Sequence, residues 1–311
     1  MKNIVSVFLL FSLLLPVSLS SQTPLWQGKG RIAVSFDGNE HDNDDWGATA
    51  MTLALLAAKS LQDKLVLYVY SDHVWGSNRE MGVKFGMTAY EHMREATLGG
   101  QRRFGFDKTR FVCGVDNAEV AYKAMTDVIN DSSKENPLII VAAGPLQVIG
   151  EAIACANRDK LKYVTVVSHG RWNAVHADNP SYLYRDVHTG WTLNRIKVTF
   201  ATRDIGLTII TPANQNGGPD YEGFLSKKEN FEWIKTSPTR NNPLYKQGAW
   251  DWLYSRVAVT VRISGEMGWS GESGTHYDVS DAGQIVFILT GIDKTNINMA
   301  REIMENPEPR K

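Results

Sequence analysis

The stretch Ile32-Ala33-Val34-Ser35-Phe36-Asp37-Gly38-Asn39-Glu40-His41-Asp42-Asn43-Asp44-Asp45 decides how this chain is read. Residues 32–36 are mostly apolar and predict a short buried strand. Beyond the loop, Ala48, Met51, Thr52, Leu55 and Leu56 recur at helical spacing. Between them, residues 37–45 form a nine-residue loop holding four Asp and one Glu. In an open α/β sheet, ligands bind at the carboxyl ends of the strands, where this loop sits. Carboxylates crowded so closely repel one another unless a cation neutralises them, and hard oxygen ligands favour Ca2+ or Mg2+ over softer metals. An exposed acidic turn with an N-cap Asp is the plainer alternative, and the strand and helix on either side weigh against it.

The same alternation continues outward. Strands are predicted at residues 65–70, 110–113, 138–142 and 163–167, with helices at 47–58, 79–97, 118–130 and 146–156. Strands alternating with helical patterns predict βαβ units. The fold class expected is therefore α/β, an open and mainly parallel sheet with helices on both faces, in one domain over residues 22–311. The loops at the carboxyl ends should converge on one face. Past Ser168 the pattern loosens, with a further strand predicted at 197–200, a Gly/Asn-rich turn at 214–219 and a peripheral helical insertion at 221–251.

Met1-Lys2-Asn3, a leucine-rich run over 4–17 and small residues at Ser18 and Ser20 predict a signal peptide over residues 1–21, hence export to the periplasm or beyond the cell. No later segment approaches the roughly 20 apolar residues a membrane span needs. With 33 Lys and Arg against 34 Asp and Glu, and no basic cluster among aromatics, a nucleic-acid partner has no electrostatic support. Cys113 and Cys155 both lie in apolar surroundings and are expected as buried free thiols. The oligomeric state stays open, a homo-oligomer included.

Three motifs in order give the chain a resemblance to the nucleoside hydrolase (inosine-uridine preferring N-ribohydrolase) superfamily, in its secreted nucleoside-hydrolase-like branch. The first is Asp37-x-Asn39 followed by Asp44-Asp45-Trp46-Gly47-Ala48, where the family carries Asp-x-Asp-x-x-x-Asp-Asp before an alanine-rich helix. The second is Leu138-Ile139-Ile140-Val141-Ala142-Ala143-Gly144-Pro145-Leu146, a strand ending in Gly-Pro-Leu. The third is Ser280-Asp281-Ala282-Gly283-Gln284-Ile285-Val286-Phe287, a late Asp opening an apolar helix.

The resemblance implies a Ca2+ ion, more than Mg2+, held by first-loop acids, a backbone carbonyl before Gly-Pro-Leu and the late Asp. On this sequence those are Asp37, Asn39, Asp45, the carbonyl of Ala143, and Asp281, with Asp44 on a sugar hydroxyl. A cation beside a carboxylate is what activating and aiming a water requires. The family's second Asp is its usual base, but that position holds Asn39, which accepts no proton. The loop is one residue longer than the pattern, so Asp37, Glu40 and Asp42 all stand as candidate bases.

Further candidates follow the later strands. Asp72-His73-Val74-Trp75-Gly76-Ser77-Asn78 offers Trp75 and Asn78, the latter also a plausible helix N-cap. His169-Gly170-Arg171-Trp172-Asn173 offers Trp172 and Asn173 for the sugar and His169 as an acid for the leaving group, against the commoner role of a hydrogen-bonded structural His. His276 is a substitute for the His that precedes the family's late Asp. Trp46, Trp75, Trp172 and Trp269 are all expected in loops directed at the site, where an indole covers a sugar ring. The glycine-rich segment 264–276 lacks a P-loop Lys and is expected as a loop closing over the site. The resulting expectation is an exported, Ca2+-dependent hydrolase that cleaves a glycosidic bond of a nucleoside or a related extracellular glycoside or oligosaccharide. A non-catalytic carbohydrate-binding protein on the same fold is the rival reading.

Overall fold

The computed structural model describes residues 23–39, 42–74, 83–178, 190–202, 204–266 and 268–309. The leader reading at residues 1–21, Glu40, Trp75 and Asn78 lie outside these. Six parallel strands form the central sheet: β1 (Arg31–Phe36), β2 (Leu65–Tyr70), β3 (Arg110–Cys113), β4 (Leu138–Ala143), β5 (Val164–Ser168) and β6 (Thr208–Ile210), in the order β3-β2-β1-β4-β5-β6. The order reverses between β1 and β4, whose carboxyl ends leave the crevice that open α/β sheets use for ligands.

Both faces of the sheet are covered. Along β1, Ile32, Val34 and Phe36 enter one core while Ala33 enters the other; Ile139 and Val141 of β4 alternate with Leu138 and Ile140 in the same way. Burial on both faces explains why the strands read as continuous apolar runs rather than as alternating ones. On the first face lies α1 (Asp45–Ala58), buried at every position and packed against α2 (Ala89–Phe104). On the second face lie α3 (Ala118–Asn130) and α4 (Gln147–Cys155). Two short helices follow β5: α5 (Arg171–Val175) and α6 (Leu193–Thr199). The chain then returns to the first face through α7 (Trp233–Thr236), α8 (Ala249–Ala258), α9 (Gly283–Thr290) and α10 (Ile297–Glu305). Among the described residues no helix is long and apolar enough to cross a membrane.

Several expectations are corrected. Of the helix predicted over 79–97, residues 79–82 lie outside the described residues and 83–88 are not helical; α2 begins at Ala89, where Thr88 and Glu91 form a capping box, and runs on to Phe104, where Gly105 ends it at φ 75°. Gly99 and Gly100 do not stop it: a Cβ there would strike Trp252 and Leu53, so they allow close packing. The segment 197–200 is not a strand but the end of α6 and its cap, since Leu193, Ile196 and Phe200 share one helical face. Nor is 221–251 peripheral. Phe224, Phe231, Trp233, Ile234, Tyr245 and Trp250 from it are buried in the first core, and Leu225–Lys227 pairs antiparallel with His276–Asp278. Cys113 is buried as expected, but Cys155 is exposed on α4.

Candidate metal centre

Three chain segments deliver carboxylates to the carboxyl edge of β1 and β4. The first is the loop after β1. Asp44 is the N-cap of α1, and its Oδ1 accepts the Asp45 backbone N–H at 2.9 Å, while Asp45 Oδ2 accepts the Gly38 N–H at 2.8 Å. Helix N-termini favour negative charge, so the loop's last two acids sit where the backbone best tolerates them. The second segment follows β2: Asp72 is wholly buried, takes a 2.5 Å hydrogen bond from the Ser35 hydroxyl on Oδ2, and leaves Oδ1 without a partner. The third is the turn Ser280–Ala282 ahead of α9, which brings in Asp281.

One oxygen from each of Asp44, Asp45 and Asp281 lies within 4.8 Å of the others, and all three residues are buried. Asp45 Oδ1 makes no hydrogen bond. Burial pushes Asp44, Asp45 and Asp72 well above the usual carboxylate range, reinforced by Asp42 at Asp44 and by Asp37 at Asp45 and Asp72. Asp281 is raised for the same reason, with His169 opposing the shift. Protein groups alone therefore leave this cluster short of positive charge and of donors, which is the condition a bound cation relieves. Ala143 pairs with Phe36 at the end of β4, and the glycine after it explains the motif: a Cβ on Gly144 would lie 2.3 Å from Asp72 Oδ1 and 2.8 Å from the Asp37 nitrogen.

Beside the cluster opens a cavity of about 620 Å3, lined by Asp37, Asn39, Asp42, Asp44 and Asp281 together with His169, Trp172, Asn173, Asn214 and Asn216. Asn39 Nδ2 donates to Asp37 Oδ2 at 2.7 Å and so orients that carboxylate. Asp42 is partly buried and faces a cation: Arg262 Nη1 donates to its Oδ1 at 3.3 Å. Burial pushes Asp42 up to about 6, with Arg262 pulling the other way. Arg262 also grips the buried Asp278, with Nε donating to Oδ2 at 3.1 Å, and Asn216 Nδ2 donates to that same oxygen at 3.0 Å.

His169 is buried and held at both ring nitrogens. The Gln215 backbone N–H donates to Nε2 at 3.2 Å, so Nε2 carries no proton; Nδ1 carries it and donates to Asp281 Oδ1 at 2.7 Å. That leaves no proton directed at a leaving group. Trp172 stacks on His176 with centroids 3.6 Å apart and lines the cavity, as does Asn173. Three other expectations are corrected. Trp46 is fully buried and stacked on His92 at 4.1 Å, because α1 points it into the core. His276 lies in the two-stranded ribbon, its Nδ1 against the Thr275 hydroxyl at 2.8 Å, and does not line the cavity. Trp269 packs against His276, and the described residues of 264–276 turn back on themselves through Gly265 N–H to Trp269 O instead of covering the site.

Sequence reading passed over Arg262, Asp278, Asn214, Asn216 and any role for Asp72. Asp72 alone had a signal, an acid two residues past the end of an apolar strand. The others come from loops whose neighbours in space are far away in sequence. No protein-family model matches the chain. The chain is similar to the uncharacterized protein P22 of Formosa agariphila, 27% identical over 290 residues that span 89% of this chain and 91% of that protein.

Proposed function

We propose that the protein is a divalent-cation-dependent hydrolase of a glycosidic bond, with Ca2+ as its ion. The observation that carries this reading is the meeting of Asp44, Asp45 and Asp281 at an open cavity with Asp45 Oδ1 unpartnered. Carboxylate oxygens are hard ligands, the kind of which Ca2+ takes about six to eight. Asp44, Asp45 and Asp281 would hold the ion, with Asp37 beside them. When bound, it supplies a Lewis acid that lowers the pKa of a water and orients sugar hydroxyls.

The chain's own groups divide the remaining work. Asp37 lines the cavity, is aimed by Asn39 and is the general base that takes the proton from water. Asp42, whose Oδ1 is occupied by Arg262, is the second candidate. Asn173, Asn214 and Asn216 offer both donors and acceptors to sugar hydroxyls, and Trp172 offers an apolar face to the ring. The substrate class that fits is a neutral glycoside, nucleoside or short oligosaccharide, because the wall facing it is rich in carboxylates. Residues 1–21 support export as the setting.

The test is a hydrolysis screen with nucleosides and a panel of oligosaccharides, run with Ca2+ and with chelator. Release of free sugar that chelator abolishes and Ca2+ restores is the expected result. Saccharide binding without turnover across the panel would favour the carbohydrate-binding reading, and activity indifferent to chelator would overturn the metal-dependent one.

A further inference from the structure

We infer that His169 is a positioning residue that fixes the Asp281 carboxylate for the cation and ties it to the loop carrying Asn214 and Asn216. The inference rests on the cation reading above and adds to it a residue and a linkage. Three observations support it. His169 Nδ1–H donates to Asp281 Oδ1, leaving the other carboxylate oxygen for the ion. The Gln215 N–H donates to Nε2, which fixes the ring's tautomer and its plane.

Gln215 is itself immobile. It is fully buried, its side-chain amide donates to the carbonyls of Ala213 and Asp293, and its amide oxygen accepts the Thr295 hydroxyl. Its carbonyl accepts the Phe224 N–H at 2.8 Å. A ring held between a ligand carboxylate and so fixed a backbone N–H has little freedom to turn. Partners of this kind behind a metal ligand commonly matter about 10- to 100-fold in metal affinity. On this account the loop that presents Asn214 and Asn216 to the cavity and the carboxylate that meets the ion share one support. Order gained at one is then gained at the other, and the coupling is reciprocal.

The experiment is calorimetric titration of Ca2+ into chelator-stripped wild type, His169→Gln and His169→Asn, with the melting temperature of each measured in chelator. Asn carries its amide N–H near the position of Nδ1 and can still donate to Asp281; Gln carries its amide nearer Nε2 and cannot. The expected result is a loss of Ca2+ affinity of about 10-fold or more in His169→Gln, retention within about threefold in His169→Asn, and similar ion-free melting. A purely packing role would not separate the two variants. Equal affinities in all three proteins would overturn the inference, as would equal losses in both variants.

A second measurement needs no variant: nitrogen NMR of histidine-labelled wild type should show His169 protonated at Nδ1 and bare at Nε2. A proton at Nε2 would overturn the assignment. Wild type that takes up no divalent ion would instead overturn the cation reading itself, and this inference with it.

Discussion

At Asp45 the cost of the site is concentrated in one side chain. It is 1% exposed, its Oδ1 has no partner, and Asp37, Asp44 and Asp281 surround it. A carboxyl whose folded-state pKa is raised contributes its stability below the unfolded value of about 4 and loses it as pH rises above that. Chelated protein should therefore lose stability between pH 4.5 and 7. Asp45→Asn should recover on the order of 1–3 kcal/mol at pH 7, measured by urea unfolding in chelator. With Ca2+ at about 100 times its Kd, wild type should gain about 2.7 kcal/mol and several degrees of melting temperature, and Asp45→Asn should gain neither. A variant that melts like wild type under both conditions would contradict the placement of the charge.

His92 predicts the opposite slope. It is fully buried and stacked on Trp46, its Nε2–H donates to the Lys84 carbonyl at 2.8 Å, and its Nδ1 faces Arg256 Nη1 at 3.4 Å. Burial, with Arg256 adding to it, pushes the ring down to about 4. A depressed His contributes fully above its unfolded pKa of about 6.5 and loses that contribution as pH falls toward the folded value. The stability gap between wild type and His92→Gln should shrink by on the order of 2 kcal/mol from pH 7 to 4.5, and a constant gap would show that the ring does not titrate this way.

At the scale of elements, the strand-to-helix turns are where the site is built, and each has its own requirement. The turn after β4 requires a residue without a side chain, because Gly144 lies against Asp72 and the Asp37 nitrogen. Gly144→Ala should cost about 1–3 kcal/mol in urea unfolding and weaken Ca2+ binding in the same titration, since the displaced atoms belong to the cluster. Unchanged Ca2+ affinity would separate this turn from the metal site. Strands β1 to β5 and α3 were legible because their apolar patterns are local, whereas the three-residue β6 was not foreseen and the start of α2 depended on a capping box at Thr88 and Glu91. The segment 197–200 was misread because a short apolar run fits either period, and only packing against the second core selects the helix.

Across the whole molecule, Arg262 joins the acidic loop to the C-terminal ribbon by pairing with both Asp42 and Asp278. Asn43 reinforces the same join, its Nδ2 donating to the Val259 carbonyl at 2.9 Å. Removing one partner of a buried pair leaves an uncompensated charge, so Arg262→Met should cost about 3–5 kcal/mol in denaturant unfolding. Arg262→Met combined with Asp278→Asn should recover part of that loss. A double variant as unstable as the single one would place the cost in packing and not in charge.

The sequence by itself determined the parallel α/β sheet, the strand-to-helix placement of the acids, and the candidacy of Asp37, Asp44, Asp45 and Asp281. All of these depend on local periodicity, on charge density or on motifs a few residues long. Only the tertiary structure decided that Asp281 meets Asp44 and Asp45, that Arg262 and Asp278 support the loop, and that His169 has no proton to spare. It also turned Trp46 inward and kept His276 out of the cavity. These outcomes depend on which distant segments the sheet order brings together at one edge, and contacts between segments so far apart along the chain leave no periodic trace in either one.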